Sequence, residues 1–563
     1  MPCTFAIQTH SLPQETAQFL SGLAARKVEE RCGVKVTQQL ADLTLLFELD
    51  GVLGEEAYRI ADGEPGQIVI AGGGPRGLLY GLGKFLRTAI YGDGEIQVGT
   101  WRGTAAPARP VRGMYFATHF LNFYHVAPLA EVLQYIEELG LWGLNAITVW
   151  FDRHHYASIQ DPEAQAMIAR LHTILETARR AGLKTGLLVL GNEAYHSSPL
   201  ELRADWTSGH DGCFKNLAHY HVEVCPSKPE GFDLLLKWHR EVFSAFADLS
   251  LDFIWIWPHD QGGCSCAACA PWGGNGFLKI ARPTVEIARG FFPKAEIILS
   301  TWYFDTMIEG EWAAFAKAMQ ADSAWVDYVM AEFPGKFPDY ILKNGVPAGL
   351  PLLGFPEISM YQNGPWGGFG ANPLPRYLRA MWAEAGDLLS GGFPYSEGIF
   401  EDINKALVAW YYWNGGGDPY EALREYANLE FSSSEVEKIV RAIEMLETGN
   451  RRERRFNGKA QWMPAADDPE GEEQFVIHQT GEVETAFDLL QQVDGRLRPQ
   501  QSSSWRWRIL FLRGLIDREL VRNSFHSSQT VEDAFEELIR IYSAEEANWA
   551  VRPPVQRNRH LRW

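Results

Sequence analysis

Between residues 112 and 397 the chain alternates two kinds of segment. Short runs of apolar, β-branched and aromatic residues, almost without charge, are followed by longer stretches whose apolar positions recur every three to four residues. The first pattern suits strands buried on both faces and the second suits amphipathic helices. The strand-like runs are Arg112–His119, Asn145–Asp152, Lys184–Glu193, Asp252–Asp260, Glu296–Asp305, Asp327–Phe333, Pro351–Glu357 and Gly391–Glu397. Helical spacing fills Leu129–Leu139, Ala164–Ala181, Phe232–Ala247, Thr284–Phe291 and Leu374–Leu388. Alternation of this kind implies parallel strands, and eight runs suffice to close a barrel. The predicted fold is therefore α/β, a (β/α)8 TIM barrel over residues 106–417.

The flanks read differently. Residues 1–105 predict a small α/β domain, with strands at Phe5–Thr9, Asp42–Leu49 and Gln67–Ala71 and a helix over Gln14–Arg31. Its run Gly72-Gly-Gly-Pro-Arg-Gly77 lacks the Gly-Lys-Ser/Thr ending of a phosphate loop and reads as a tight strand-to-helix turn. A proline-bearing linker, Ala105-Ala-Pro-Ala-Arg-Pro110, follows. Residues 418–563 show helical patterns only, at Tyr420–Leu429, Ser434–Glu447, Glu482–Asp494, Trp505–Ser524 and Val531–Ala544, and predict a helical cap packed on the barrel. Such an appendage often carries a dimer contact, so a homodimer is an expected assembly.

Most strand-like runs end in polar or ionisable residues. The C-terminal strand ends of a parallel barrel open onto its site, so this loading points to chemistry there. The carboxyl groups are Asp152, Glu193, Asp260, Asp305, Glu332, Glu357 and Glu397. Like charges converging on one rim raise one another's pKa and destabilise the fold, which favours a functional reading. By position at apolar strand ends, Asp260, Glu357 and Glu397 are candidate catalytic groups, whereas Asp152 and Asp305 better suit helix caps or hydrogen bonds to a substrate. His119, His154, His155, Asn192, His259, Trp302, Tyr303, Tyr361 and Tyr395 fall at or just past strand ends, where they could stack on a sugar ring or donate to its hydroxyls. With Asp152 and Glu193 they form the predicted substrate-binding set.

The stretch Phe253-Ile-Trp-Ile-Trp-Pro-His-Asp260 passes from a buried strand to an ionisable pair, and Cys264-x-Cys266-x-x-Cys269 follows at once. That spacing lets thiolates converge on one soft cation. Cys225 on the preceding long loop is the preferred fourth ligand of a structural zinc, with Cys213 or a histidine as alternatives and reduced or oxidised thiols as the plain reading. The seven cysteines are odd in number, which does not suit a disulfide framework.

Composition narrows the partners. A formal net charge of −20 argues against nucleic acid or an anionic membrane surface, and 20 Trp and 20 Tyr are compatible with a carbohydrate partner. The first residues lack a basic segment leading into a long apolar core, and no later run reaches membrane-spanning length, which predicts a cytoplasmic protein.

The order of accessory α/β domain, barrel and helical domain, together with the Gly72–Gly77 turn, resembles the α-glucuronidases and, for its first two parts, the β-hexosaminidases. The resemblance implies an exo-acting glycosidase that needs no catalytic cofactor. It implies Asp260 as general acid after strand four, with Glu332 and Glu357 from strands six and seven around an activated water in an inverting reaction. It also aligns Arg112 with a hexosaminidase arginine that binds sugar hydroxyls, although an interior ion pair suits that residue equally. Hexosaminidases carry an Asp-Glu pair after strand four, where this chain has Asp260-Gln261, a departure that argues against acetamido-assisted chemistry. Tyr395-Ser-Glu-Gly…Asp402-Ile-Asn-Lys405 resembles a segment in relatives of the same enzymes. The alternatives are a retaining hydrolase with Glu397 or Glu357 as nucleophile, a sugar-binding barrel without turnover, and a zinc-dependent enzyme using the cysteines.

Overall fold

In the computed structural model of the chain, the described residues are 4–9, 12–37, 41–119, 121–205, 222–260, 263–306, 309–333, 337–359, 370–449, 480–523 and 528–543. Phe5–Thr9 (β1), Leu43–Leu49 (β2), Tyr58–Asp62 (β3), Gln67–Gly72 (β4) and Gly103–Ala105 (β7) form an N-terminal sheet in the order β1-β2-β4-β3-β7, and Ile90–Gly92 (β5) pairs with Glu95–Gln97 (β6). As the glycine run implies, β4 turns directly into a helix, Pro75–Thr88, with Pro75 in its first turn. Side chains are excluded there: a Cβ on Gly77 would fall 2.2 Å from the Ala57 carbonyl oxygen.

The barrel strands are Val111–Phe116 (β8), Ala146–Trp150 (β9), Lys184–Leu190 (β10), Phe253–Trp257 (β11), Glu296–Ser300 (β12), Tyr328–Phe333 (β13), Leu352–Pro356 (β14) and a last one in two pieces, Leu389–Gly392 (β15) and Tyr395–Ser396 (β16). All pair in parallel, and both pieces of the last pair with β8, which closes the sheet. The break falls at Phe393-Pro394, where proline offers no N–H to the ladder. Phe393 instead fills the barrel interior. Its ring lies 5.5 Å from Phe253 and 5.7 Å from Trp255, and a Cβ on Gly113 would meet it at 2.2 Å. Along β11 the alternation is plain: Phe253, Trp255 and Trp257 join the interior cluster, while Ile254 and Ile256 pack outward on the helices.

The helices around the barrel follow the predicted periodicity, with differences that include a short extra helix, Asp339–Asn344, between β13 and β14. The predicted helix Thr284–Phe291 begins earlier, at Gly276, and accommodates Pro283 within it, and a further helix, Glu311–Ala321, lies between β12 and β13. The C-terminal helices, among them Val436–Gly449, Thr480–Asp494, Trp505–Arg522 and Gln529–Ile541, pack against one another and on the barrel core. Among the described residues, no helix is long and apolar enough to cross a membrane.

Arg112 corrects an expectation. It sits at the N-terminal end of β8, away from the rim, and is fully buried. Its guanidinium donates to Glu56 of the N-terminal domain at 3.0 Å and to the backbone oxygens of Gly143 and Arg109 at 2.7 Å each, between the rings of Tyr80 and Trp413. The interior ion pair is therefore the reading the geometry supports, and the residue fastens the barrel floor to the accessory domain. Arg112→Ala strips buried acceptors of their donor and is expected to destabilise the chain by roughly 3 kcal/mol. Chemical denaturation would measure this; an unchanged midpoint would show the floor contact to be dispensable.

Candidate active site

On the far rim, strands four, six, seven and eight bring their carboxyl groups near one another. Tyr303, just past β12, marks the meeting point. Burial first, then the charges of Glu332, Asp260 and Glu357, hold its phenol far above the usual range, so all three carboxyls lie near it. Its backbone adopts φ 55°, unusual for a side-chain-bearing residue, and this aims its N–H at Glu332 Oε1, 2.7 Å away. Trp302 turns its indole N–H onto the Asp260 carbonyl oxygen at 2.8 Å, and its ring lies 4.9 Å from that of Trp257.

The carboxyls differ in their surroundings. Glu332 is buried, and desolvation pushes its pKa from 4.5 up to about 8, against the single hydrogen bond from Tyr303. Its Oε2 has no hydrogen-bond partner among the described residues. Glu357 Oε1, by contrast, accepts from the Ser359 N–H at 2.7 Å and the Ser359 hydroxyl at 2.9 Å, donors that stabilise negative charge. Burial, then Glu357 and Glu401, keep Glu397 well above the ordinary carboxylate range, and the Tyr395 hydroxyl donates to it at 3.3 Å. Glu401 is structural: its Oε1 accepts from the Ser396 hydroxyl at 2.7 Å and the Gly398 N–H at 2.8 Å. Asp305 serves as a cap, accepting from the Glu311 N–H at 2.7 Å.

The other half of the rim, after strands one to three, is a dense polar cluster. Asp152 lies between two imidazoles, His154 Nδ1 at 2.6 Å and His155 Nε2 at 3.1 Å. Burial opposes charge on His154, yet Asp152 and Glu193 raise its pKa to about 10, so it is an imidazolium at neutral pH. Glu193 also accepts from the backbone N–H of Arg153 at 2.7 Å and its Nε at 3.3 Å. His119 touches the Tyr115 hydroxyl at 3.2 Å; desolvation lowers its pKa to about 3 and keeps it neutral. The Tyr115 phenol is raised by burial first, then by Asp260, Asp152 and Glu193, which ties the two halves of the rim together. His259 is buried at the end of strand four, and Asn192 Nδ2 donates to the Val224 carbonyl at 3.3 Å. Tyr361, Gln261 and Cys213 lie outside the described residues.

Arg153 and Glu223 were not anticipated. Glu223 is buried and sits opposite Glu193 in an antiparallel bridge, and the short alternation Val222-Glu-Val-Cys225 was the available signal. Beside this rim, the thiols of Cys225, Cys264, Cys266 and Cys269 converge, with every pair of sulfurs within 4.8 Å. Cys225 thus takes the position expected of the fourth member.

No family model matches the chain, and no curated protein matches it. Solved structures do. A GH138 enzyme targeting pectin rhamnogalacturonan II superposes with a TM-score of 0.57 at 11% identity, covering 96% of this chain and 92% of its own. A family GH115 4-O-methyl-α-glucuronidase with specificity for decorated arabinogalactans gives 0.57 at 11% identity, over 97% of this chain and 76% of that one. A GH89 protein from Clostridium perfringens, in complex with its substrate GlcNAc-α-1,4-galactose, gives 0.59 at 12% identity, over 96% and 67%. The chain therefore shares with solved glycoside hydrolases an architecture that extends through all three of its parts.

The raised Glu332 pKa carries a sign. The folded chain holds this proton up to pH about 8, whereas an unfolded glutamate releases it near 4.5, so stability from this group is full below 4.5 and lost as pH rises toward 8. Glu332→Gln, which mimics the protonated form, is expected to flatten that fall. Thermal midpoints of both proteins across this window measure it, and parallel curves would mean that Glu332 titrates normally.

Proposed function

We propose that the chain is an exo-acting glycoside hydrolase that removes a terminal sugar by carboxylate acid–base catalysis. The observation that carries the proposal is the gathering of Asp260, Glu332 and Glu357 around Tyr303, with Glu332 held protonated by burial and Glu357 furnished with two donors on a single oxygen. Glycosidic hydrolysis needs carboxyls in opposite protonation states on one substrate. The three-part architecture shared with glycoside hydrolases supports the same reading.

In this reading Asp260 gives its proton to the leaving oxygen as the C–O bond breaks. Glu357 takes a proton from the water that attacks the anomeric carbon, and Glu332 remains a neutral donor beside it. Trp302, Tyr303 and Tyr395 provide aromatic surface at the carboxyl end, and Asp152, His154, His155, Asn192 and Glu193 offer hydrogen bonds to sugar hydroxyls across the cleft. In this reading the reaction uses only the chain's own side chains, and the substrate is an oligosaccharide or glycoside met in the cytoplasm.

Asp260→Asn is expected to lower turnover about 10²–10⁴-fold on alkyl glycosides and much less on aryl glycosides with activated phenols, which leave without protonation. Glu357→Gln should fall by a similar factor on both. If Glu332→Gln instead shows the leaving-group dependence, the acid is Glu332. Undiminished turnover in both Asp260→Asn and Glu357→Gln would remove the mechanism, and sugar binding without turnover would assign a binding role. NMR of the first-formed anomer separates inversion from retention, and a retained product would make Glu397 or Glu357 the nucleophile.

A further inference from the structure

We infer that Cys225, Cys264, Cys266 and Cys269 form a tetrathiolate site for one zinc ion that clamps the loops after barrel strands three and four. This inference is independent of the glycosidase reading.

The geometry is that of a coordination shell. Cys225 Sγ lies 3.8 Å from Cys266 Sγ and 3.8 Å from Cys269 Sγ, and all four sulfurs fall within 4.8 Å of one another. A tetrahedron of sulfurs around zinc, with Zn–S bonds of about 2.3 Å, has edges of about 3.8 Å. A disulfide would bring one pair to about 2.0 Å, and no such pair exists among these thiols. Three of the four cysteines are buried, and Cys266 is half-buried.

The surroundings fit an ion better than a group of thiols. Ser227 Oγ sits 3.0 Å from Cys269 Sγ, within reach to donate to a thiolate. Arg203, Lys228 and Asp205 line the depression onto which the cluster opens, a lining with one more positive than negative group, and both cations also donate to nearby backbone carbonyls. The loops are already aligned by backbone contacts: Ser265 N–H donates to the Asp205 carbonyl at 3.1 Å, and Cys225 N–H to that of Leu202 at 2.9 Å. Four thiolates fill the coordination sphere and leave no open position, so the ion would hold structure and would not activate water. What it would hold is the segment that begins four residues beyond Asp260, anchored further by Trp272, whose indole N–H donates to the Pro258 carbonyl at 3.1 Å.

The test uses the full chain, purified under reducing conditions from zinc-supplemented cells and analysed for metal by mass spectrometry. Roughly one zinc per chain is expected, falling about tenfold in the double variant Cys264→Ser, Cys266→Ser. Because that variant could misfold, the wild type is also titrated with a mercurial, which should release zinc in step with thiol modification. It is then exchanged with Co²⁺, which should give the visible and thiolate charge-transfer bands of a tetrahedral thiolate centre. A chain that purifies without zinc and takes up Co²⁺ without those bands overturns the inference. So does an intact mass showing disulfides among these four residues under the same conditions.

Discussion

Lys27, Glu138, Asp402, Glu430 and Arg506 come from the accessory domain, the barrel and the C-terminal helices, and they are withdrawn from water together. Lys27 Nζ lies 3.4 Å from Glu138 and 3.5 Å from Glu430. Arg506 reaches Glu138 at 2.9 Å, Asp402 at 2.8 Å and Glu430 at 3.6 Å. The hydroxyls of Tyr135 and Tyr426 complete Asp402 at 2.5 Å and 2.6 Å. Each of these charges would be costly in the interior alone, and each is compensated only when all three parts of the chain are in place. Barrel closure is therefore tied to domain assembly. The network continues inward through Lys405, which donates to Tyr135, Tyr124 and the Gly398 carbonyl, and so arrives at the residue beside Glu397.

The half of the rim that holds Glu332 and Glu397 is built on the opposite principle. In the domain junction, nearby cations hold the pKa values of Glu138 and Asp402 down despite their burial. Glu332 and Glu397, by contrast, have no ion pair among the described residues, and burial drives both pKa values up. The same fold thus keeps one set of carboxyls charged for structure and another inclined to hold protons. The closed sheet directs its strand ends to one rim, and that is where these like groups collect.

The barrel was legible because each strand is buried on both faces and so appears as an uncharged run. The split in the last strand was not, since Phe393-Pro394 continues the apolar pattern while proline removes a ladder donor. The predicted helix Thr284–Phe291 stops short of Pro283, yet the proline is absorbed in a longer helix whose buried face, including Phe277, Ile280 and Ala281, packs into the core. The rim carboxyls could be identified from strand ends alone. Arg112 could have been placed from the same rule, since it opens its strand and belongs to the floor. Tyr542 was beyond sequence reasoning, because its partners Glu397, Phe400 and Phe123 lie in distant segments brought together only by the fold.

Tyr542 changes the meaning of the C-terminal domain. Its hydroxyl donates to the backbone oxygen of Glu397 at 2.8 Å, and its ring stacks on Phe400 at 4.5 Å and lies near Phe123 at 5.7 Å. Gly398 admits no side chain between them, for a Cβ there would fall 2.4 Å from Phe123 and 2.7 Å from the Tyr542 ring. The loop after the last strand is thus gripped from outside by the helical domain and from inside by Glu401 and Lys405. A short, broken strand such as Tyr395–Ser396 has too few ladder hydrogen bonds to fix the group that follows it. The helices supply the missing constraint, so the helical cap also fixes the loop that carries Glu397.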